Sequence, residues 1–249
     1  MVIRNAWTRL THKQLLVLYP FVLGILNSLA FLAIYVAAED LLTWNGYARA
    51  NFDRFPYLRD ELTSAPDGAV VITAGTAGVL IVLLTAAIRA PYFRAIVGLG
   101  YPLAPASRQE LARLTILYLV IYGLLAVLPG TLPADSTAFG IASLVLFAAG
   151  IIFLFADYAL VFEGIGPLQA VRRSLQVLEM RLVPSVALYL GGALLWLGVD
   201  SLYRGYFEEG DSVFVLLPIS HLLLNALVTL LLDTLLVFLY FDSAKEIGS

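Results

Sequence analysis

Hydrophobic residues occur along this chain in six long runs that charged residues hardly interrupt. A helix needs about 20 mainly apolar residues to cross a bilayer, and each run is long enough to do so. Because backbone groups in lipid must be hydrogen bonded internally, the runs predict helices. The predicted transmembrane spans are residues 14–38, 68–88, 114–134, 136–158, 182–201 and 212–241.

Two shorter segments have the pattern of helices that lie in the membrane interface. Residues 1–13 place apolar side chains at helical spacing among basic ones. Residues 166–180 place Leu168, Leu175 and Leu178 on one side of a helix, with glutamine and arginine on the other. Both segments are therefore predicted to be amphipathic interfacial helices.

The composition supports this interpretation. Hydrophobic residues make up 61% of the chain and charged residues 13%, with a mean hydropathy of +0.89. Soluble domains carry roughly 25% charged residues, so this chain cannot cover a water-facing surface of its size. The predicted fold class is all-α: a polytopic integral membrane protein with six transmembrane helices, forming a single transmembrane domain over residues 1–249.

Charge sorting predicts the orientation. With the N-terminus in the cytoplasm, only Arg49, Arg54, Arg59 and Arg204 of the 15 lysines and arginines fall on the outer side. Cytoplasmic loops carry the excess of basic residues, so the N- and C-termini are both expected in the cytoplasm. The predicted location is the inner (plasma) membrane of a bacterial-type cell, with the phospholipid bilayer as the surrounding partner.

Several classes of chemistry lack their usual residues. The chain has no cysteine, which excludes thiolate nucleophiles and cysteine-based metal sites. It contains no H-E-x-x-H motif, nucleophile elbow or P-loop, and His12 and His221 are far apart in sequence. We therefore predict no enzymatic activity, cofactor or metal. No soluble element interleaves basic and aromatic residues, so nucleic acid is not an expected partner.

The last predicted span carries a polar stripe. His221, Asn225, Thr229 and Asp233 recur every four residues, so they follow one side of a helix over about 18 Å. Ionisable residues at such depth are costly and usually face a bundle interior or a wet cavity. The stripe predicts either a path for a proton, ion or polar substrate, or interhelical hydrogen bonds that hold the bundle together.

A second set of charged residues lies near the predicted cytoplasmic surface. Asp157 and Glu163 follow the fourth span, and Arg172 and Arg173 lie on the amphipathic helix. The set predicts a salt-bridged hinge that holds this helix against the bundle. A carboxylate pair for acid–base chemistry is the alternative.

The segment between the second and third spans is basic. It contains Arg89, Arg94, Arg108 and Arg113 and is expected to form a long loop, because prolines and glycines interrupt it. Attraction to anionic headgroups explains such a loop. Docking of a cytoplasmic protein partner is the alternative.

Two stretches resemble known membrane proteins. Residues 86–116 and 155–184 are similar to a broad group of bacterial six-helix proteins that includes the membrane domain of some glycerophosphodiester phosphodiesterases. The second stretch carries the closer likeness, with a carboxylate, glycine and proline followed by Ala170, Arg172, Arg173 and Ser174. In those phosphodiesterases a separate soluble domain holds the activity, so the resemblance implies no catalytic residue in this chain.

A weaker resemblance concerns the proline-rich loop. Ser107, Arg108 and Glu110 at its end are similar to the coupling region of ABC-2-type exporter permeases. That resemblance implies a separate ATPase subunit on the cytoplasmic side, because this sequence has no nucleotide-binding motif.

Three functions follow from these observations. The first is a non-catalytic inner-membrane protein that binds lipid or a protein partner through its cytoplasmic amphipathic helix and basic loops. The alternative is a transport component, either an ABC-type permease subunit or a small carrier that uses the polar stripe. The third is a membrane-embedded enzyme acting on lipid through Asp157, Glu163 or Asp233.

Overall fold

Helices form the regular secondary structure of every part of the chain that the structure describes. The structure is a computed structural model, and it describes residues 14–39, 68–98, 105–130, 137–209 and 216–247. A 3₁₀ turn at Gln14–Val17 precedes α1 (Leu18–Glu39), α2 (Gly68–Val97), α3 (Arg108–Gly130), α4 (Thr137–Ile152), α5 (Ala156–Glu163), α6 (Pro167–Glu209) and α7 (Leu216–Ile247). The described residues form no strand, which confirms the all-α fold class. The predicted interfacial helix at residues 1–13 lies outside the described residues.

The helices have the length and surface of membrane spans. Five segments are long and apolar enough to cross a bilayer, namely Leu15–Ala37, Gly68–Val97, Gly140–Glu163, Pro167–Arg204 and Leu216–Glu246. Large apolar side chains cover their outer faces, among them Ile72, Leu144 and Val183. Continuous apolar surface of this kind belongs in lipid. The chain is thus a helical membrane protein. The third predicted span overlaps α3, and the number of six spans stays a prediction.

The segment expected to be a loop after the second span is helical at both of its ends. α2 continues past residue 88 to Val97, and α3 begins at Arg108. The extension forms because Tyr92, Phe93 and Ile96 bury their side chains almost completely in the core. Arg89 therefore lies inside a helix and not in a loop.

The predicted interfacial helix and the fifth span form a single kinked helix, α6. Its backbone leaves helical geometry at Arg181, where φ is −131° and ψ is 36°. Pro184 follows three residues later and lacks the amide that would donate to the carbonyl of the preceding turn. Before the kink, Ala170, Ser174, Val177 and Leu178 are buried, whereas Leu168 and Leu175 are exposed. The apolar arc predicted for this helix thus packs against the bundle only in part.

Short connections fix the position of α5. A turn at residues 153–155 separates α4 from α5, and Ser174 bridges it from α6. The Ser174 hydroxyl donates to the carbonyl of Ile152 over 2.6 Å and accepts from the amide of Phe155 over 3.1 Å. α5 ends at Gly164, whose φ of 65° suits glycine. These contacts hold the first turn of α5, which begins with Ala156 and Asp157, at one level of the bundle.

The helices pack mostly against their neighbours in sequence and close into a bundle. α1 contacts α2 and α7, α2 contacts α3, and α6 contacts α5 and α7. The main core lies at the end of the bundle that holds the last turns of α2, all of α5 and the second half of α7. Tyr92, Phe93, Phe155, Tyr158 and Tyr240 are its largest buried aromatic side chains. Polar groups that converge on this core are therefore removed from water.

Candidate functional site

An arginine and two aspartates from three different helices meet within this core. The Arg89 Nη1 atom of α2 lies 3.4 Å from Oδ2 of Asp157 on α5 and 3.5 Å from Oδ1 of Asp233 on α7. The guanidinium carbon also lies 5.3 Å from the centre of the Phe93 ring, one helical turn further along α2. One cation therefore bridges two carboxylates far apart in sequence. We call Arg89, Asp157 and Asp233 the ionic cluster.

Asp157 is fully satisfied by its surroundings. Its Oδ2 atom accepts from Arg89 and from the Tyr118 hydroxyl, the latter over 3.1 Å. Its Oδ1 atom accepts from the backbone amide of Tyr158 over 3.0 Å. These three donors belong to α2, α3 and α5. Asp157 therefore serves as an anchor for Arg89.

Asp233 is satisfied on only one of its two oxygen atoms. Oδ1 accepts from the Tyr158 hydroxyl over 3.0 Å and faces Arg89. Oδ2 is buried and has no hydrogen-bond partner among the described residues, although the whole side chain is only 9% exposed. The Tyr92 hydroxyl lies beside this carboxylate without reaching hydrogen-bond geometry, and it too lacks a partner there. Buried polar atoms are nearly always hydrogen bonded. Oδ2 is thus a vacant acceptor.

The ionic cluster as a whole lacks one positive charge. When every member is ionised, two carboxylates face one guanidinium and leave one excess negative charge. An uncompensated charge in a dry interior costs several kcal/mol. A proton on the cluster, or another cation beside it, would remove this cost.

A cavity of about 180 Å³ reaches the ionic cluster. Arg89, Asp157, Tyr158 and Asp233 form its polar part, together with Thr229. The rest of its wall comes largely from apolar and aromatic residues of α6, of α7 and of the turn between α4 and α5, including Phe153, Leu188, Tyr189, Gly192, Trp196 and Leu232. Apolar cavities with a few convergent polar groups are the usual form of small-molecule sites. The ionic cluster and this cavity are the candidate site.

The polar stripe of α7 is divided between two environments. Asp233 and Thr229 line the cavity. His221 and Asn225 instead meet Asp200 of α6 near the other end of α7: His221 Nε2 lies 3.0 Å from Asp200 Oδ1 and 2.9 Å from Asn225 Nδ2. Thr229 donates its hydroxyl hydrogen to the Asn225 carbonyl. The four residues therefore follow one line along α7, as their spacing predicts, but contact different partners at its two ends.

The predicted charged set is also divided. Glu163 accepts from Arg173 Nε over 2.8 Å and from the Tyr240 hydroxyl over 2.5 Å, which ties α5, α6 and α7 together. Arg172 is exposed on the surface of α6. Asp157 contacts neither Arg172 nor Arg173, because it lies at the opposite end of α5 from Glu163 and pairs with Arg89. Glu163 and Arg173 thus form the hinge contact without Asp157.

Most of the predicted basic loop is engaged within the protein. Arg89 belongs to the ionic cluster, and Arg94 lies 3.4 Å from Glu110. Arg113 donates to the carbonyl of Gly164. Only Arg108 of the four is classed as exposed, at the start of α3. The arginines therefore do not form one continuous basic surface.

Sequence reasoning missed the contacts of four residues in these sites. Arg89 was expected in a loop, although the apolar and aromatic residues after it were a signal that the helix continues. Tyr118 and Tyr158 gave no signal, because tyrosine is common throughout the chain. Asp200 belongs to no recognisable motif, although it pairs with His221. No distance along the sequence could indicate these contacts.

Comparisons with protein-family models, curated proteins and solved structures find no match. The resemblances drawn from residues 86–116 and 155–184 stay predictions, since no homologue tests them. The functional argument for this chain therefore depends on its own geometry.

Proposed function

We propose that the protein is a non-catalytic transport component of a bacterial-type inner membrane that binds a small solute beside the ionic cluster. The observation that carries this proposal is the cavity that reaches Arg89 and Asp233 between α6, α7 and the turn that joins α4 to α5. Ionisable residues inside a membrane are costly, and they commonly mark ion, proton or substrate pathways. Asp233 is both an ionisable residue inside the membrane and a part of the cavity wall.

The remaining polar residues of α7 support a route across the membrane. Thr229 lines the cavity, Asn225 follows it by one turn, and His221 by another. Their partner Asp200 has a side chain 35% exposed at the far end of the stripe. Polar groups thus occur over about 18 Å of α7, between the ionic cluster and a residue that solvent can reach.

The proposed orientation places the ionic cluster toward the cytoplasm. It depends on the distribution of lysine and arginine, with the N- and C-termini on the more basic side. In this orientation Asp200 and His221 lie toward the outer surface of the inner membrane.

A proteoliposome assay tests the function. The purified protein is reconstituted with a pH-sensitive dye inside the vesicles, and cationic, anionic and neutral small solutes are added outside in separate trials. We expect a solute-dependent pH change with at least one class, and none when Asp233→Asn replaces the wild type. Arg108→Gln, which alters an exposed charge outside the cavity, serves as the control. A wild-type protein that responds to no class would contradict the proposal.

Binding of lipid or a protein partner on the cytoplasmic side is the second candidate function. The exposed Leu168 and Leu175 flank the buried face of α6 next to the exposed Arg172, an arrangement suited to the headgroup level of a bilayer. Native mass spectrometry of gently extracted protein tests it. A stoichiometric protein partner, for example an ATPase subunit, would support a function as a subunit of a complex. A chain without a bound protein would support transport by a small carrier instead.

A further inference from the structure

The vacant oxygen of Asp233 constrains the chemical class of the solute. Asp233 Oδ2 is buried without a hydrogen-bond partner among the described residues, and the same side chain lines the cavity. Its other oxygen is already used by Tyr158 and Arg89. A ligand in the cavity would therefore lie beside a carboxylate whose charge is not fully compensated.

The charge of the site favours a cation over an anion. Arg89 is the one arginine or lysine in the cavity wall, and it is shared between Asp157 and Asp233. An anionic ligand would have to compete with two carboxylates for that guanidinium. A cation beside Asp233 instead balances the excess negative charge without displacing an existing contact.

The cavity wall favours an organic cation over a metal ion. The described residues contain no group of three or more histidine, cysteine, aspartate or glutamate side chains that could hold a metal. Aromatic side chains, in contrast, are frequent in the wall: Phe153, Tyr158, Tyr189 and Trp196. Aromatic faces attract ammonium groups, most strongly where water is excluded. The cavity volume of about 180 Å³ is below the 300–1,000 Å³ typical of drug-sized ligands, so the ion should be small.

We propose that the cavity binds a small organic ammonium ion beside Asp233, in exchange with a proton on the ionic cluster. This inference rests on the proposed solute site and names its substrate class. A proton on the ionic cluster removes the excess negative charge that attracts the ammonium ion, so the two cations exclude each other. The titratable and charged groups that face the two carboxylates or the cavity are Arg89 and Tyr92 of α2, Tyr118 of α3, Asp157 and Tyr158 of α5, and Tyr189 of α6.

Equilibrium binding of radiolabelled tetramethylammonium to the full-length protein in detergent tests the inference. We expect saturable binding that weakens as the pH is lowered, and no competition from tert-butanol, a neutral molecule of similar shape. Asp233→Asn should weaken binding by about tenfold or more, the loss expected when a charged hydrogen-bonding partner is removed. Arg108→Gln, which alters an exposed charge outside the cavity, should bind as the wild type does.

Two results would overturn the inference: no saturable binding by the wild type, or unchanged binding by Asp233→Asn. If that variant does not fold, Gly192→Leu replaces it, because this change narrows the cavity without altering a charge. The proteoliposome assay separates the two proposals. A pH change driven by anionic or neutral solutes but not by tetramethylammonium would refute the ammonium ion as the substrate class and would support the transport function. No pH change with any solute class would refute both proposals.

Discussion

The hydroxyl group of Tyr158 donates a hydrogen bond to Oδ1 of Asp233 over 3.0 Å and so joins α5 to α7 inside the membrane. The backbone amide of the same tyrosine donates to Asp157. Tyr158 therefore holds both carboxylates of the ionic cluster at fixed positions around Arg89. Only the Oδ2 atom of Asp233 is left without a donor among the described residues.

Removal of the bridging cation should strongly destabilise the protein. Arg89→Met leaves two buried carboxylates without their guanidinium, and loss of one partner of a buried ion pair costs about 3–5 kcal/mol. We expect the lower end of this range, since the Arg89 side chain is 25% exposed. Unfolding by sodium dodecyl sulfate measures the change, and Arg108→Met at an exposed position is the matched control. Equal stability of the two variants would refute the bridging role.

The two aspartates should respond differently to the same substitution. Asp157→Asn disrupts a carboxylate that accepts three hydrogen bonds, and we expect a loss of about 2 kcal/mol. Asp233→Asn removes the excess negative charge, so its stability should equal or exceed that of the wild type. The same unfolding titration compares them. A larger loss for Asp233→Asn than for Asp157→Asn would reverse the assigned roles.

Ser174 should matter more than another buried serine. Its hydroxyl satisfies the backbone on both sides of the turn between α4 and α5, so Ser174→Ala should cost about 1–3 kcal/mol. Ser243 is equally buried, but its hydroxyl donates only to the carbonyl of Leu239 in its own helix. Ser243→Ala should therefore be nearly neutral. Thermal unfolding in detergent measures both, and similar losses would argue against a bridging role for Ser174.

Two adjacent glycines provide a test of the cavity itself. A Cβ atom at Gly192 would lie 2.7 Å from Leu232 Cδ1, whereas one at Gly191 would meet nothing within 4 Å. Gly192→Leu should therefore obstruct the cavity and weaken ammonium binding, and Gly191→Leu should leave binding intact. Tetramethylammonium binding to the two purified variants measures this difference. Equal affinities would place the binding site elsewhere.

The absence of cysteine makes the orientation simple to test, because any introduced cysteine is unique. In right-side-out vesicles, Lys245→Cys near the C-terminus should react with a membrane-impermeant maleimide only after permeabilisation. Ser201→Cys, next to Asp200, should react without it. The opposite pattern would invert the proposed orientation.

The sequence was sufficient to predict the helical membrane fold but not the composition of the site. Long apolar runs identify helices because lipid demands internal hydrogen bonds, and that requirement acts locally. The four-residue spacing of His221 to Asp233 likewise placed these residues along one side of α7. Long-range pairing is different: Arg89 reaches Asp233 across 144 positions, and the prolines and glycines after it made a loop the expected structure. The burial of Tyr92, Phe93 and Ile96 overrides that local signal.

We propose that Asp233 lies in the solute site of a transport component that exchanges its solute for a proton. The most direct test is the internal pH of proteoliposomes after external addition of tetramethylammonium, with wild type and Asp233→Asn compared at equal reconstituted amounts. We expect a pH change driven by the ammonium ion in the wild type and none in the variant. A wild type without response, or a variant that responds equally, would contradict it.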